Sequence, residues 1–505
     1  MKFTISAICS LFLLILFSSS FTPVKKISRV YISDYENVLG TSLQLKVIAL
    51  SPAQASLAEN AAMDEIARMN KILSGYDASS EFSRWMNGGK KATKISPELF
   101  EVLSLFDKWR VQSNGALDAS AEIVVKLWKE AGKNNRQPTA AELAKAVALV
   151  KQPHWTLNET NHTATRLDDA PLMLNSFVKS YIMNKACNTT LAKSGITAVV
   201  MNIGGDIVVR GAHTEQILVS DPKADAENDA PISRLTIANK AVATSGNYRR
   251  GELVNGIWHS HIVDPRTGLP ADKVISATVV ADNATDAGAL ATAFNVLAPE
   301  ESKALAATVP HAEFMLITSD GKRVESNGWK KLELPVAKTK TPEVVKTLPV
   351  QNSWDPNYEL EIKLELREIN DFRVRRPYVA VWVVDAAKKP VRNIAIWYGK
   401  PRYLDELETW YDTYYNRYPD NDGRISSTTS ATRPAGKYTL KWDGKNGKGE
   451  LVKLGTYTIM IELAREHGSH QLMTQEMDFT KPQKPVTMHG NEEVTSVVLD
   501  YIKKD

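Results

Sequence analysis

Apolar and polar residues change their spacing several times along this chain, and each spacing predicts an element. "TSLQLKVIA" (41–49) alternates as a half-buried strand does. "LAENAAMDEIARMNKIL" (57–73) and "SPELFEVLSLFDKWRVQ" (96–112) carry apolar residues at helical spacing, the second opening on Ser96-Pro97-Glu98, a helix start. "GITAVVMNIGGDIVVRG" (195–211) reads as two strands around a Gly-Gly turn. Strands and helices follow one another without strict alternation over residues 30–335, which predicts an α+β domain rather than a doubly wound parallel sheet.

The pattern then lapses. "VAKTKTPEVVKTLPVQN" (336–352) has no apolar period and carries lysines, threonines and prolines, so it reads as a linker. From 353 to 505 the segments "YELEIKLELRE", "PYVAVWVVDAAKKPVRNIAIWYG" and "GKYTLKWDGKNGKGELVKLGTYTIMIELARE" alternate between Gly, Asn, Asp and Lys turns. They predict a β-sandwich of roughly immunoglobulin size. "YLDELETWYDTYYNRYPDND" (403–422) reads as an aromatic helix or lid over it.

Composition narrows the classes. A chain of 505 residues has room for about two to four domains. With 43% hydrophobic and 24% charged residues it is a globular protein. A formal charge of +4 gives no support for nucleic-acid binding, which needs a concentrated basic face. At the start, Lys2 precedes an apolar run from Ile5 to Phe17 and then small serines. Residues 1–22 therefore read as a secretory signal, the run being short for a stable membrane span; an uncleaved anchor is the alternative. With the leader removed only Cys187 remains, so no intrachain disulfide forms. A bacterial-type periplasm or the cell surface is the expected location.

Three stretches could carry chemistry. In "HSHIVDPRTG" (259–268) a strand would point His259 and His261 to one face, and Asp264-Pro265 would start a turn that leaves Arg266 projecting. A zinc site would need a third ligand at usual spacing, and none is there. In "NIGGDIVVRG" (202–211) Gly204-Gly205 would let backbone approach a flat or phosphorylated ligand, although Gly-Gly turns also serve hairpins. No P-loop, Rossmann fingerprint or G-x-S-x-G elbow is present. "ATDAGALATAFNVLAPEES" (284–302) is a small-residue helix capped by Thr285 or Asp286, fit to press on a neighbouring element or on a cofactor. In the C-terminal part, Trp397, Tyr398, Tyr403, Trp410, Tyr411, Tyr414, Tyr415 and Tyr418 could form a stacking surface for a glycan or partner, or close a core. His467 and His470 read as surface or strand-end residues.

These pieces occur in a set order. Leu39-Gly40 before "TSLQLKV", then "LSGYDASSEFSRWMN", "NGALDASAEIVVKLW", "NSFVKSYIMNKA", "MNIGGDIVVRG", "VATSGNYRR", "SHIVDPRTG" and "GALATAFNVL" together resemble the ApbE family of FAD:protein FMN transferases. The C-terminal part, with "PYVAVWVVD", "SATRPAGKYTL" and "KWDGKNGKGE", is similar to a domain of unknown function that accompanies such transferases. The resemblance implies a T-fold-related domain that uses FAD and magnesium. It implies transfer of FMN to a threonine or serine hydroxyl of an exported flavoprotein partner, with release of AMP.

By motif, Leu39, Tyr76, Ala116, Leu117, Asp118, Lys179, Gly204, Gly205 and Ile262 would contact the cofactor. Ser176, through its backbone carbonyl, and Thr292 would contact the metal, and His261 is the candidate proton acceptor. The pattern breaks where the family's metal aspartate stands, because that position is Gly288. Asp286 could substitute only from a bent lead-in to the helix. The aspartate of K-G-Y-x-x-D is Asn184, that of S-G-D-Y is Asn247, and an acidic position upstream of Lys179 is Met173. Two outcomes follow: a transferase with an adjusted metal site, or a catalytically impaired FAD-binding or scaffold protein of the envelope.

Overall fold

The computed structural model describes residues 27–247, 251–334, 353–368, 376–398, 401–415, 429–430, 433, 435–465 and 468–504. The expected leader, the linker at 336–352, Tyr418 and His467 lie outside the described residues. Among those residues, no helix is long and apolar enough to cross a membrane.

The N-terminal half is built on an eight-stranded antiparallel sheet. Its order is Arg29–Val38, Thr41–Ala49, Ile196–Ile203, Asp206–Gly211, Ala241–Gly246, Val274–Ala281, Glu313–Thr318, Arg323–Glu325. The period-2 patterns decide what each face buries. Leu43, Leu45 and Val47 join Val199, Met201, Val279 and Leu316 beneath the helices. Val200, Val209, Val242, Val280 and Met315 point the other way, onto the hairpin of Glu215–Val219 with Ser233–Ile237 and onto Trp329. The α+β expectation holds.

Helix starts are set by local chemistry. Ser51 accepts the Gln54 N–H ahead of Pro52–Leu73, and Ser96 accepts the Leu99 N–H ahead of Pro97–Gln112, each with proline in the first turn. Asn283, rather than Thr285 or Asp286, caps Ala284–Val296 by accepting the Asp286 N–H. That helix is buried almost throughout, with Ala287, Ala289 and Ala293 fully enclosed. Its small side chains let it lie close against Val178–Leu191 and the sheet. Cys187, in Val178–Leu191, is a free thiol whose complete burial pushes its pKa up to about 12.

The C-terminal half is a sandwich. A four-stranded sheet (Gly436–Trp442, Tyr358–Leu366, Val494–Lys503, Val486–His489) faces a five-stranded one (Thr429–Ser430, Pro390–Trp397, Tyr378–Asp385, Thr456–Ala464, His470–Asp478). Val379, Val381 and Val383 face the other sheet, while Tyr378, Ala380, Trp382 and Val384 lie under Leu404, Leu407 and Trp410. From Tyr378 to Val384 the central strand is therefore apolar, because both of its faces are covered.

The aromatic segment expected as a helix or lid packs in short turns, Pro401–Glu406 and Glu408–Trp410 among them. Trp397 is buried between the two sheets, and Trp410 is buried in the cluster under the cover, against which Tyr398, Tyr411 and Tyr414 pack. Among the described residues, burial decides for the core reading. The side chains of Tyr403 and Tyr415 lie outside the described residues.

Among the described residues, the halves meet at two places. The Glu227 N–H donates to the Thr439 carbonyl at 2.7 Å, and Asn228 exchanges hydrogen bonds with the Lys441 backbone at 2.8 and 2.9 Å. Arg376, buried, pairs with Asp34 at 3.3 Å and Glu36 at 3.0 Å.

Candidate functional site

A cleft of about 1860 Å³ opens beside the Gly-Gly hairpin. Ile203 pairs with Asp206 across Gly204 and Gly205, whose φ values are +57° and +91°. Positive φ at both central residues is the geometry of a two-residue hairpin turn, and glycine takes it without strain. The Gly205 N–H donates to the Asn202 side chain, and Gly204 backs onto Thr41. The turn thus presents bare backbone to the cleft.

Next to it stands a compact polar group. Lys179, in the first turn of Val178–Leu191, donates from Nζ to Asp206 Oδ2 at 2.9 Å and to the Ile203 carbonyl at 3.2 Å. The Ser180 hydroxyl donates to the same Asp206 oxygen at 3.2 Å. Thr292 donates from Oγ1 to the Ser176 carbonyl at 2.8 Å. One helix start, one hairpin and one facing helix hold all of these, so the arrangement is rigid.

Tyr76, Ala116, Leu117, Asp118, Lys179, Gly204, Gly205, His261, Ile262, Ser176 and Thr292 all border this cleft. Tyr76 stands at its rim, 80% exposed, its hydroxyl accepting from Asn175 at 2.6 Å. Asp118 turns its carboxylate inward, to the Ser120 N–H and hydroxyl and to Arg110 at 2.9 Å, so it shapes the wall rather than presenting charge. Leu39 and Asp286 are not among the lining residues. Leu39 packs against the core at the tip of the first hairpin, and Asp286 accepts from the Asn283 side chain at 2.6 Å near the helix cap.

The "DPRTG" corner is self-contained. Asp264 receives the Arg266 N–H and guanidinium at 2.9 Å, and Arg266 also pairs with Glu301 at 3.0 Å. Both carboxylates raise the guanidinium's pKa, the Asp264 hydrogen bonds being the larger cause. The expectation that Arg266 projects fails, because its charge is used in fixing the corner. The corner props His261, Ile262 and Val263 against the cleft. His259 instead packs its ring, tilted, against Trp128, ring centroids 4.7 Å apart, so the two histidines do not act together.

Other lining residues gave little signal in the sequence. Glu122 borders the cleft, and burial raises its carboxyl above the usual range against the pull of Lys129 and Lys126. Arg392, Ile394 and Arg433 of the sandwich extend the wall. Of the acidic positions that departed from the pattern, Asn184 accepts from Arg210 at 2.9 Å and Asn247 donates to the Ala271 carbonyl at 3.0 Å. Both are structural contacts.

The ApbE family model matches residues 39–316, more than half of the sequence. The chain belongs to the ApbE family. A second model, described as "Predicted periplasmic protein (DUF2271)", matches residues 359–496. Among similar proteins is an FAD:protein FMN transferase of Klebsiella pneumoniae (strain 342), 24% identical over 59% of this chain and 87% of its own length. Another, from Vibrio cholerae serotype O1, is 27% identical over 56% and 86%. The crystal structure of the ApbE protein from Thermotoga maritima superposes with a TM-score of 0.54 at 24% identity, over 61% of this chain and all of its own. That superposition shows the fold.

An ApbE site implies a divalent cation, and the residues here do not fit a resident one. Magnesium is ordinarily held through one or two carboxylates. Among the described residues, no three or more His, Cys, Asp or Glu side chains come together as ligands. Asp206 is the carboxylate beside Ser180, and Lys179 already engages it. Gly288 offers no ligand. A Cβ built there would come 2.4 Å from Ser180 Oγ, so position 288 has no room for a side chain.

Proposed function

We propose that this ApbE-family protein transfers the FMN half of FAD to a threonine or serine hydroxyl of an exported flavoprotein, releasing AMP. The observation that carries the reading is the convergence of the bare Gly204-Gly205 backbone, the Lys179 ammonium and the Ile262 wall on one cleft. In the step proposed, the acceptor oxygen bonds to the phosphorus of the FMN half. The bond from that phosphorus to the AMP oxygen breaks, and AMP leaves with the electron pair. His261, at the cleft wall, would take the hydroxyl proton. Lys179 would offset charge that grows on the phosphoryl oxygens. Ile262 and Ala116 would exclude water from one side of the flavin. No step is routed through magnesium, since the residues present do not fit it.

The location proposed is the periplasm or the cell surface, which agrees with the leader-like start and with the description of the family matched by the C-terminal part. A second reading, an FAD-binding scaffold without turnover, is favoured by the one observation at Gly288 and Ser180. AMP release from FAD separates the two. It is measured with a threonine-bearing acceptor fragment, with and without magnesium, beside His261→Ala. AMP formed together with flavin fixed on the acceptor supports the transferase. FAD bound and left intact supports the scaffold.

A further inference from the structure

Resting on the reading of the cleft as a dinucleotide site, we infer that it holds the pyrophosphate without a resident divalent cation. The Lys179 ammonium supplies the positive charge, and Ser180 fills the space a carboxylate at position 288 would need. Ser180 and Gly288 face each other across the contact of two helices. A Cβ on residue 288 would lie 2.4 Å from Ser180 Oγ and 2.9 Å from Ser180 Cβ. Real Cβ atoms do not approach that closely, and Ser180 Cβ cannot swing away as a long side chain would. The serine therefore excludes any acid at 288.

The remaining oxygens are committed to one another. Asp206 Oδ2 receives both the Lys179 ammonium and the Ser180 hydroxyl. Thr292 closes on the Ser176 carbonyl at 2.8 Å. Asp286 is engaged with Asn283 at the helix cap, two residues along the helix from Gly288. One carboxylate and one ammonium leave this corner with no net negative charge to attract a divalent ion. A pyrophosphate entering it would meet a cation already fixed by the Ile203 carbonyl and Asp206.

The test is an FAD titration of the full chain by quenching of flavin fluorescence, in EDTA and then in excess magnesium. The dissociation constants should agree within about twofold, and Lys179→Met should weaken binding in EDTA by about tenfold. Manganese followed by electron paramagnetic resonance should show no stoichiometric site. In a double variant, Ser180→Gly with Gly288→Asp, the carboxylate gains room, and magnesium should then tighten FAD by about tenfold. Gly288→Asp alone should not do this, because Ser180 remains. Wild-type affinity that falls by about tenfold in EDTA, with manganese bound one to one, would overturn the inference and leave the cleft reading standing. FAD that fails to bind in either buffer would overturn the cleft reading and this inference with it.

Discussion

The two halves both bury polar and aromatic side chains, but they aim them in opposite directions. In the N-terminal half Lys179, Ser180 and Asp206, bonded to one another, and Thr292, bonded to the Ser176 carbonyl, meet at the edge of a cleft within reach of a ligand. In the sandwich Trp354 packs on Trp442, Phe479 and Tyr501 with ring centroids 4.7 to 5.2 Å apart, closed off from solvent. Of the aromatics that suggested a stacking surface, the described ones pack between the two sheets (Trp397) or between a sheet and its cover (Tyr398, Trp410, Tyr411, Tyr414). Residue type alone did not distinguish a binding surface from a core; the direction of burial did.

The largest effect that could sharpen this contrast is in the sandwich. Trp442→Ala removes a fully buried ring and should cost about 3–5 kcal/mol in denaturant unfolding. FAD affinity should stay within about twofold, because Trp442 does not border the cleft. A parallel collapse of FAD binding would show that the halves are one energetic unit. Arg376→Ala acts at their junction. It leaves Asp34 and Glu36 facing each other without their buried partner, and should destabilise the protein by about 3 kcal/mol. Unfolding at the wild-type midpoint would mean that this junction contributes nothing.

Asp118→Asn probes the cleft wall and should cost less, about 2 kcal/mol. The amide still accepts from Ser120 but loses the charge opposite Arg110. Because this carboxylate points inward, FAD affinity should follow stability rather than fall on its own. A variant of unchanged stability that no longer binds FAD would place Asp118 on the ligand instead.

Much of this was legible beforehand where a pattern is local. Period-2 segments, the Ser96 helix start and the Gly-Gly hairpin need only their neighbours, and they read correctly. What did not read is what depends on two distant segments meeting. Serine in place of the glycine of K-G-Y-x-x-D is plain in "KSYIMN", yet only the packing of the two helices shows that Ser180 faces Gly288. Asp286 looked available by number, but Asn283 starts the helix early enough to turn it to the cap. Arg266 looked free in a rigid turn, and Glu301, far along the chain, fixes its second edge. The double coverage of Tyr378–Asp385 was hidden because a continuous apolar run does not say what covers it.

The smallest effect belongs to Glu122, where the cleft and the sandwich core should differ in sign. Trimming the core loses stability, whereas neutralising Glu122 should add to it. Burial disfavours the charged carboxylate, with Lys129 and Lys126 compensating in part, so its folded pKa lies above the ordinary glutamate value. Between the unfolded and folded values the native state binds more protons, and stability falls as pH rises. Above the folded value the whole penalty is present; below the unfolded value it is absent. Glu122→Gln should therefore be more stable than the parent at neutral pH and indistinguishable from it in acid. The group is partly exposed, so the gain is screened to a few tenths of a kcal/mol. Thermal unfolding at two pH values reads it. A variant less stable than the parent at neutral pH would mean that the carboxylate makes a favourable contact there, and that this wall of the cleft is held together by charge rather than strained by it.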